Sequence, residues 1–560
     1  APTEIYTLSL HDALPIYSIV KEFPKVEVTG KRIEVTPYQK FYGDTYINYI
    51  NITESSYIQV NEIFSKIPGI YIKDYGAASS LKSISVRGAS PSETSINLDG
   101  ISLNSTQTGI YNLGNIPMIL IENIEISKNT SSSIFGPNSM SAAVNVSSVN
   151  SSSEKINFKA KFVSGSFDDY SVGTLITQNV SDVKYLIAGE IIRSKGNYPI
   201  ETVQFGKKFE YNRENADLLQ YSGYITSSIN IQNIELNFNT LLRSSEKGVP
   251  GAIVQGSIEN LEARIKENEV IAKLGSQILL NDSSRLKFSL IGKYNEFNFY
   301  DNKFSFISSY LKNTYNNNRD IIFNTEFALN KINLTVAGNI SYSDLKGNLL
   351  QNNGFADRFN AGLSANHILN FDFLQICNFS ILSALRFDYY SDVRTSLSPA
   401  LSLLSEFIDL PLTIRYNSAY NYRPPSFNEM YYLNYGNTKL VPENSYSNEL
   451  SLNYYIADIF QIQTNLFYNY SFDKIISIPQ SPFYSKAMNM GKVVSKGFEI
   501  QTNSNFLDNL FKITINYTRQ IITDEDENSL TYQKRVPYIP EEMIGFVISS
   551  NYSDFRLSLE

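Results

Sequence analysis

Lys331–Tyr342 reads KINLTVAGNISY, and its apolar side chains take every second position from Ile332 to Val336 and return at Ile340 and Tyr342. Successive side chains of a β-strand point to opposite faces, so this period of two predicts a strand with one apolar and one polar face. The pattern recurs from residue 155 onward, in runs separated by Asn, Asp, Ser and Gly: Lys155–Phe162, Arg285–Tyr294, Gln461–Tyr470 and Phe511–Tyr517. These runs predict a fold that consists mainly of β-strands.

Composition narrows the class of protein. The chain has 560 residues, and 47 Lys+Arg against 55 Asp+Glu give a net charge of −8, which argues against binding to nucleic acid. A single cysteine, Cys377, excludes a disulfide framework and a multi-Cys metal site. No run approaches the ~18 apolar residues of a membrane helix. A large soluble β protein and a transmembrane β-barrel remain.

Three features favour the transmembrane barrel. The alternating runs reach the length of about 9–11 residues that crosses a bilayer at a tilt. Tyr294, Tyr342 and Tyr470 end their runs, where an aromatic girdle lies at the membrane interface. The short connection Ser504–Asn509 and the long acidic one Ile521–Glu542 fit a barrel with short turns at one end and long loops at the other. A soluble sandwich or solenoid would show shorter strands or regular repeats.

The chain before residue 155 lacks the sustained alternation of apolar and polar residues. Within residues 1–16, Tyr6–Ile16 (YTLSLHDALPI) looks like one reading frame of a sequencing-adapter oligonucleotide, and we interpret residues 1–16 as an assembly artefact. Residues 17–40 form an N-terminal segment with a short β-prone stretch, VEVTG. Residues 41–150 contain small residues and Gly-punctuated apolar segments, which predicts a compact α+β domain.

Residues 151–560 contain the alternating runs and form the predicted barrel. The chain stops at Glu560 within a strand pattern, so we expect the C-terminal strands of the barrel to be missing from this sequence.

Several motifs stand in a fixed order. The α+β region contains Ile63–Ile72 (IFSKIPGIYI), Ser83–Ser90 (SISVRGAS), Ile96–Asn104 (INLDGISLN), Ile121–Lys128 (IENIEISK) and Ser133–Ser148 (SIFGPNSMSAAVNVSS). The barrel region contains Tyr422–Tyr432 (YRPPSFNEMYY), Gly436–Glu449 (GNTKLVPENSYSNE) and Asn489–Glu499 (NMGKVVSKGFE). In the order and spacing of these motifs, the chain resembles TonB-dependent outer-membrane transporters of the cobalamin- or siderophore-receptor type, over nearly all of residues 26–560.

The resemblance implies an all-β transmembrane fold. We expect an antiparallel β-barrel of the 22-stranded type, with the N-terminal α+β domain of residues 41–150 as a plug in its lumen. It also implies a monomeric barrel in the lipid of the bacterial outer membrane that imports a scarce large solute, cobalamin-like or a ferric siderophore. A passive porin or an outer-membrane adhesin, without energy coupling, is the alternative, and the plug motifs speak against both.

The same resemblance implies a coupling segment. A TonB-type energy-transducing complex would pull on the TonB-box-like stretch VEVTG from the periplasm. An extended segment can join the edge of a partner's sheet through main-chain hydrogen bonds, which resist a pulling force. The predicted coupling residues are Val26, Glu27, Val28, Thr29 and Gly30.

The resemblance further implies an ion-pair cluster between the plug and the barrel wall, formed by Arg87, Lys128, Glu449 and Glu499. Each glutamate lies on an alternating run whose apolar neighbours should face lipid, so we expect both carboxylates to face the lumen. A bidentate contact between an arginine and a carboxylate is strong and directional. Ligand contact is predicted for a plug segment that can reach the outer vestibule, through Gln107, Thr108, Gly109 and Tyr111.

The remaining polar features predict little chemistry. The acidic loop Thr523–Asn528 offers Asp524 and Asp526 as calcium candidates, but it lacks the EF-hand spacing and glycine, so a solvated loop is the better interpretation and no metal site or cofactor is predicted. His367 lies alone between barrel runs, and Cys377 is interpreted as a packed small hydrophobe. The chain has no G-x-S-x-G, H-E-x-x-H or C-x-x-C motif and no phosphate-binding glycine loop, so no enzyme is predicted.

Overall fold

A computed structural model of the chain describes residue 41 and residues 45–47, 57–65, 67–128, 131–150, 153–204, 206–250, 262–301, 313–373, 376–456, 459–481, 484–506, 510–552 and 555–559. The predicted artefact 1–16 and the coupling residues Val26–Gly30 lie outside these ranges, so their assignments stay predictions. Within the described ranges, no helix is both long and apolar enough to cross a membrane.

The N-terminal domain is a small α+β unit. Its five-stranded sheet has the order β1-β6-β7-β4-β5, in which β4 and β7 run parallel, and β2 and β3 form a separate hairpin. The strands are β1 (Thr45–Ile47), β2 (Ile70–Asp74), β3 (Lys82–Val86), β4 (Thr94–Leu98), β5 (Ile101–Ser102), β6 (Ile121–Lys128) and β7 (Ala142–Ser148). The helices are α1 (Asn61–Phe64) and α2 (Ser132–Phe135), with 3-10 turns at Pro91–Glu93, Leu113–Asn115 and Met118–Leu120.

The core of this domain continues into the barrel wall. Phe64, Leu98 and Leu113 are buried in one apolar cluster that also takes in Leu241 and Ile271 of the wall. Apolar burial of this kind is the main stabilising term of a fold, so the plug and the wall share one core.

In the described residues, 19 strands form a closed barrel around the plug, in the order β10, β13 to β28, β8 and β9. Neighbours along the chain pair antiparallel; β11 and β12 form an extra hairpin outside the ring. The strands are β8 (Asn157–Gly165), β9 (Asp169–Val180), β10 (Val183–Ser194), β11 (Pro199–Gln204), β12 (Lys207–Asn212), β13 (Leu218–Ile231), β14 (Ile234–Gly248), β15 (Arg264–Asn281), β16 (Ser284–Tyr300), β17 (Asn313–Leu329), β18 (Leu334–Gly347), β19 (Phe355–Phe373), β20 (Cys377–Tyr390), β21 (Ser396–Phe407), β22 (Leu412–Arg423), β23 (Glu443–Ile456), β24 (Phe460–Ser481), β25 (Tyr484–Phe506), β26 (Phe511–Asp524), β27 (Glu542–Tyr552) and β28 (Phe555–Leu559).

The predicted alternation of side chains is confirmed along the wall. In β23, Ser447 and Glu449 are buried in the lumen, whereas Tyr446 and Leu450 are exposed on the outside. Large apolar side chains such as Leu363 stand on the outer surface throughout the ring, which suits a wall that faces lipid.

The connections between strands differ at the two ends of the barrel. At one end they are short: 181–182, 232–233, 282–283, 330–333, 374–376, 408–411, 457–459, 507–510 and 553–554. The opposite end carries short connections such as 166–168 and 391–395, and also the long described connections 424–442 and 525–541. Two short helices also lie at this second end, α3 (Gln351–Gly354) and α4 (Phe427–Tyr431). The chain enters the barrel from the plug at the end with short turns, so we call the end with long loops the outer end.

Candidate functional site

Arg87 of the plug lies between two glutamates of the barrel wall. Its Nε and Nη2 donate to Oε1 and Oε2 of Glu499, at 2.9 and 3.1 Å, and its Nη1 forms an ion pair with Oε2 of Glu449 at 2.5 Å. All three side chains are at most 2% exposed. A planar guanidinium that grips a carboxylate with two parallel bonds fixes orientation as well as distance, so the contact sets the position of the plug against the wall.

Lys128 completes a cluster of four charges. Its Nζ lies 2.5 Å from Oε2 of Glu499 and donates to the carbonyl oxygen of Pro68 at 3.1 Å. Two cations and two carboxylates balance, so the group carries no net charge into a buried site, where an unpaired charge would cost several kcal/mol. The structure thus brings together all four residues that the resemblance to the transporters implied, and we call them the Arg87 cluster.

The turn that follows β3 aims Arg87 at the wall. Arg87 and Gly88 both have left-handed backbone, with φ of 52° and 78°. A non-glycine residue pays about 1 kcal/mol for this conformation, which the buried ion pairs offset. The hydroxyl of Ser495 donates to the Arg87 carbonyl at 2.7 Å, and the guanidinium stacks over the Phe467 ring at 4.4 Å from its centroid.

Gly69 of the plug contacts the same cluster through its backbone. Its N–H donates to Oγ1 of Thr518 at 2.8 Å, and its carbonyl accepts from the Arg87 N–H at 2.8 Å. Its φ is 73°, and a Cβ at this position would collide with the Glu499 carboxylate. The glycine of the KIPGI motif therefore leaves the space in which Glu499 meets its two cations.

The predicted ligand segment forms the apex of the plug, beneath α4. The N–H groups of Phe427 and Asn428 donate to the carbonyl oxygens of Thr106 and Gln107, at 3.1 and 2.9 Å. The first N–H groups of a helix have no partner within the helix, so the plug carbonyls satisfy them and hold α4 against the apex.

Most of the predicted ligand residues are buried in the structure. Gln107, Gly109 and Tyr111 are buried, whereas the Thr108 side chain is exposed. The Tyr111 hydroxyl donates to Oε2 of Glu269 at 3.2 Å, and burial together with this neighbouring carboxylate raises the pKa of Tyr111 well above its usual range. In this conformation Thr108 alone among the four predicted ligand residues is exposed.

A polar cavity of about 750 Å³ separates the plug from the wall opposite the Arg87 cluster. Asn97, Ser102 and Thr106 line it from the plug, and strands β14 to β20 line it from the wall with residues that include Lys273 and Arg386. At the rim of the cavity, the Thr106 hydroxyl donates to Oδ1 of Asp320 at 2.8 Å. The plug thus meets buried charges on β23 and β25, and on the side of β14 to β20 it borders this cavity between its contacts with the wall, such as Tyr111 with Glu269.

The carboxylates of the acidic loop accept hydrogen bonds from within the loop itself. Asp524 accepts hydrogen bonds from the Asp526 N–H at 2.9 Å and the Thr531 hydroxyl at 2.7 Å, and Asp526 accepts from the Asn528 N–H at 3.0 Å. Within the described residues, no three His, Cys, Asp or Glu side chains lie together as ligands for a metal. The calcium assignment for Asp524 and Asp526 therefore gains no support from geometry.

Two family models match the chain. The plug domain model of the TonB-dependent receptors matches residues 45–143, and the model "TonB dependent receptor-like, beta-barrel" matches residues 156–559. The chain belongs to the TonB-dependent receptor family. The plug and barrel predicted from sequence motifs are confirmed.

Individual relatives of this receptor are distant. It is 25% identical over 124 residues to the vitamin B12 transporter BtuB of Vibrio vulnificus, a match that covers 22% of this chain and 20% of that protein. Its fold is similar to the siderophore receptor PirA of Acinetobacter baumannii (TM-score 0.71, 15% identity, 92% and 85% of the two chains covered) and to a variant of the ferric enterobactin receptor PfeA of Pseudomonas aeruginosa (TM-score 0.72, 15% identity, 92% and 84% covered). The sequence match thus spans about a fifth of the curated relative, and the structural matches establish the fold.

Sequence reasoning missed a second group of buried charges in this receptor. Arg423 binds Glu429 of α4 through two bonds of 2.9 and 3.0 Å and Glu443 through one of 2.7 Å, and Lys474 forms an ion pair with Glu93 of the plug. One feature of the sequence indicates the role of Lys474: alternation assigns this position to the lipid face, where a lysine is costly in a barrel.

Proposed function

We propose that this receptor imports a scarce large solute across the bacterial outer membrane, by energy-coupled movement of the plug. The observation that carries this proposal is the Arg87 cluster. It holds the plug inside the barrel through four buried charges, which form strong contacts at rest and separate when the plug is pulled. A passive porin needs an open lumen, and an adhesin needs no internal plug.

The solute class is cobalamin-like or a ferric siderophore. One relative is named a vitamin B12 transporter, and the structural neighbours are named siderophore and ferric enterobactin receptors. The loops at the outer end and the plug apex would bind the solute, and a TonB-type complex would pull on Val26–Gly30 from the periplasm. The barrel would act as a monomer in the lipid of the outer membrane.

Ligand binding is the first test of this function. Purified protein in detergent is titrated with cobalamin and with a panel of ferric siderophores, and the fluorescence of its 39 tyrosines is recorded. Saturable binding of either class identifies the solute. Absence of binding by both classes would overturn the proposed solute class and leave the plugged barrel in place.

Energy coupling is tested separately. Deletion of residues 24–31 should abolish uptake of the bound solute while surface abundance and binding stay unchanged, because only the pulling contact is lost. A chain with these eight residues replaced by a Gly/Ser segment of equal length controls for the spacing. Uptake that survives the deletion would favour the passive alternative.

A further inference from the structure

A second buried ion pair joins the plug to the wall, apart from the Arg87 cluster. The Nζ of Lys474, on β24, pairs with Oε1 of Glu93, which also accepts the Ser90 N–H at 3.0 Å within the 3-10 turn of the plug. The side chains of Lys474 and Glu93 are 13% and 2% exposed. The pair therefore lies in a largely dry site, where its loss would leave a buried charge.

A β-bulge turns Lys474 into the lumen. Ser471 pairs with Val493 and Lys474 with Gly491, so three steps on β24 oppose two on β25. Asp473 within the bulge has a φ of 53°. One extra residue moves Lys474 to the other face, so a lysine that strict alternation would place against lipid reaches the plug instead. The register is restored at the next pair, Ile475 with Asn489.

Lys474 has a second carboxylate neighbour, Glu443. This glutamate attracts Lys474 electrostatically, but its Oε2 is occupied by Nε of Arg423 at 2.7 Å and its Oε1 by the Ile475 N–H at 2.6 Å. Arg423 is at the same time held by Glu429 of α4. A chain of buried charges therefore runs from the outer loop helix to the plug.

Glu93 also feels a second cation of the plug at longer range. Lys73, on the plug's own hairpin, attracts Glu93 and is repelled by Lys474. If Lys474 leaves, Glu93 keeps the bond from the Ser90 N–H and the longer-range attraction of Lys73, which lower the cost of separating the pair. Among the interactions described for Glu443, Arg423 and Lys474 are the two cations. If Arg423 leaves, Lys474 is therefore the cation that can replace it.

We propose that Lys474 is a positioning residue that links occupancy of the outer loops to release of the plug. When α4 is displaced and Arg423 leaves with Glu429, the bare Glu443 carboxylate draws Lys474 away from Glu93. This second anchor then opens from outside, before any pull on the Arg87 cluster. The proposal rests on the proposed import function for its purpose, but its ion-pair exchange is measurable without transport.

The test is an epistasis experiment in planar bilayers and by spin labelling. A nitroxide is placed at Thr108 in a Cys377→Ala background, and folding of each variant is checked by heat-modifiable migration. Arg423→Met, which imitates displacement of α4, should raise label mobility and increase leak conductance several-fold. Adding Glu443→Gln should reverse most of this increase, since the competing carboxylate is gone.

Further variants separate the exchange from general loosening. Lys474→Met should raise mobility and leak as Arg423→Met does, Lys474→Arg should stay near the parent, and Lys496→Met, an exposed lysine on β25, serves as the matched control. If Glu443→Gln fails to reverse Arg423→Met, or Lys474→Met equals Lys496→Met, the proposal is overturned. Neither outcome depends on uptake, so a failure here is distinct from a failure of the import function.

Discussion

The carboxylate of Glu499 fills the space that a side chain on Gly69 would need. Gly69 has a φ of 73°, and its missing Cβ is the gap through which Glu499 reaches both Arg87 and Lys128. The plug and the wall are thus complementary in shape at Gly69 and Glu499, in addition to the charges that pair there.

This fit predicts a large effect for a small change. Gly69→Ala adds one methyl group, which costs about 1 kcal/mol for the left-handed backbone and in addition displaces the Glu499 carboxylate. Breaking a buried ion pair costs about 3–5 kcal/mol, so we expect the urea midpoint for plug unfolding, read from a spin label on Thr108, to fall clearly.

Gly100→Ala is the matched control. Gly100 has the same φ of 73°, but its Cβ would meet only Lys273 Nζ at an ordinary 3.6 Å. This variant should therefore show the backbone cost alone, about 1 kcal/mol. Equal losses in the two variants would mean that the Glu499 carboxylate moves aside freely and that the fit has no energetic weight.

Charge reversal in the Arg87 cluster should open the barrel. Arg87→Glu sets a third carboxylate against Glu449 and Glu499, and we expect leak conductance in planar bilayers to rise at least tenfold. Arg87→Glu with Glu499→Arg should recover only in part, because the new arginine meets Lys128 while Glu449 still faces the new glutamate. Adding Lys128→Glu together with Glu449→Lys should recover more, because all four signs are then reversed and the cluster is neutral again.

The control for this series is an exposed pair on the wall. Arg519 and Glu542 lie 3.5 Å apart with side chains more than half exposed, and such pairs contribute about 0–1 kcal/mol. Arg519→Glu should leave the leak at the parent level. A leak that is equal in Arg87→Glu and Arg519→Glu would show that the cluster does not hold the plug.

The outer helix allows a third prediction. The Ser426 hydroxyl accepts the Glu429 N–H at the N-terminus of α4, and the Glu429 carboxylate accepts two bonds, from the N–H and the hydroxyl of Ser426. Ser426→Ala removes this cap at a cost of about 1 kcal/mol and should speed hydrogen exchange of the peptide 424–436. Ser131→Ala, which removes the cap of α2, should change exchange near 131–136 instead. Identical exchange patterns would contradict a local role for the α4 cap.

Alternation along the strands made most of the barrel predictable. A period of two in β23 and β25 places Glu449 and Glu499 in the lumen, because their neighbours Leu450 and Phe498 belong to the opposite face. The identity of their partners came only from the resemblance, since no local pattern in the sequence connects Arg87 with a strand about 400 positions away. Sequence periodicity describes single strands, and pairing across the lumen is a property of the closed ring.

Lys474 shows where alternation stops being informative. The bulge at Asp473 inserts one residue and brings Lys474 to the lumen, and the pairing of Ile475 with Asn489 then restores the register. The sequence marks this bulge only by a lysine at a position that alternation assigns to lipid. The cover of α4 over Gln107 was equally hidden, because it is made by main-chain bonds that carry no side-chain signature.

The plug also has a titratable group whose effect on stability is directional. Oε1 of Glu62 accepts the N–H groups of Ile58 and Gln59, and partial burial raises the pKa of Glu62 above its usual value despite these bonds. A carboxyl with a raised folded-state pKa stabilises the plug below its unfolded pKa, and this contribution is lost as the pH rises through the folded value. Glu62→Gln keeps an acceptor oxygen and removes the charge, so its plug should gain stability over the parent as the pH rises above the unfolded glutamate pKa of about 4.3 and match the parent below it. The measurement is the urea midpoint, read from the Thr108 label at a series of pH values. Glu154→Gln, which removes an exposed carboxylate, is the control for loss of one charge. A difference between Glu62→Gln and the parent that does not change with pH would contradict the assignment.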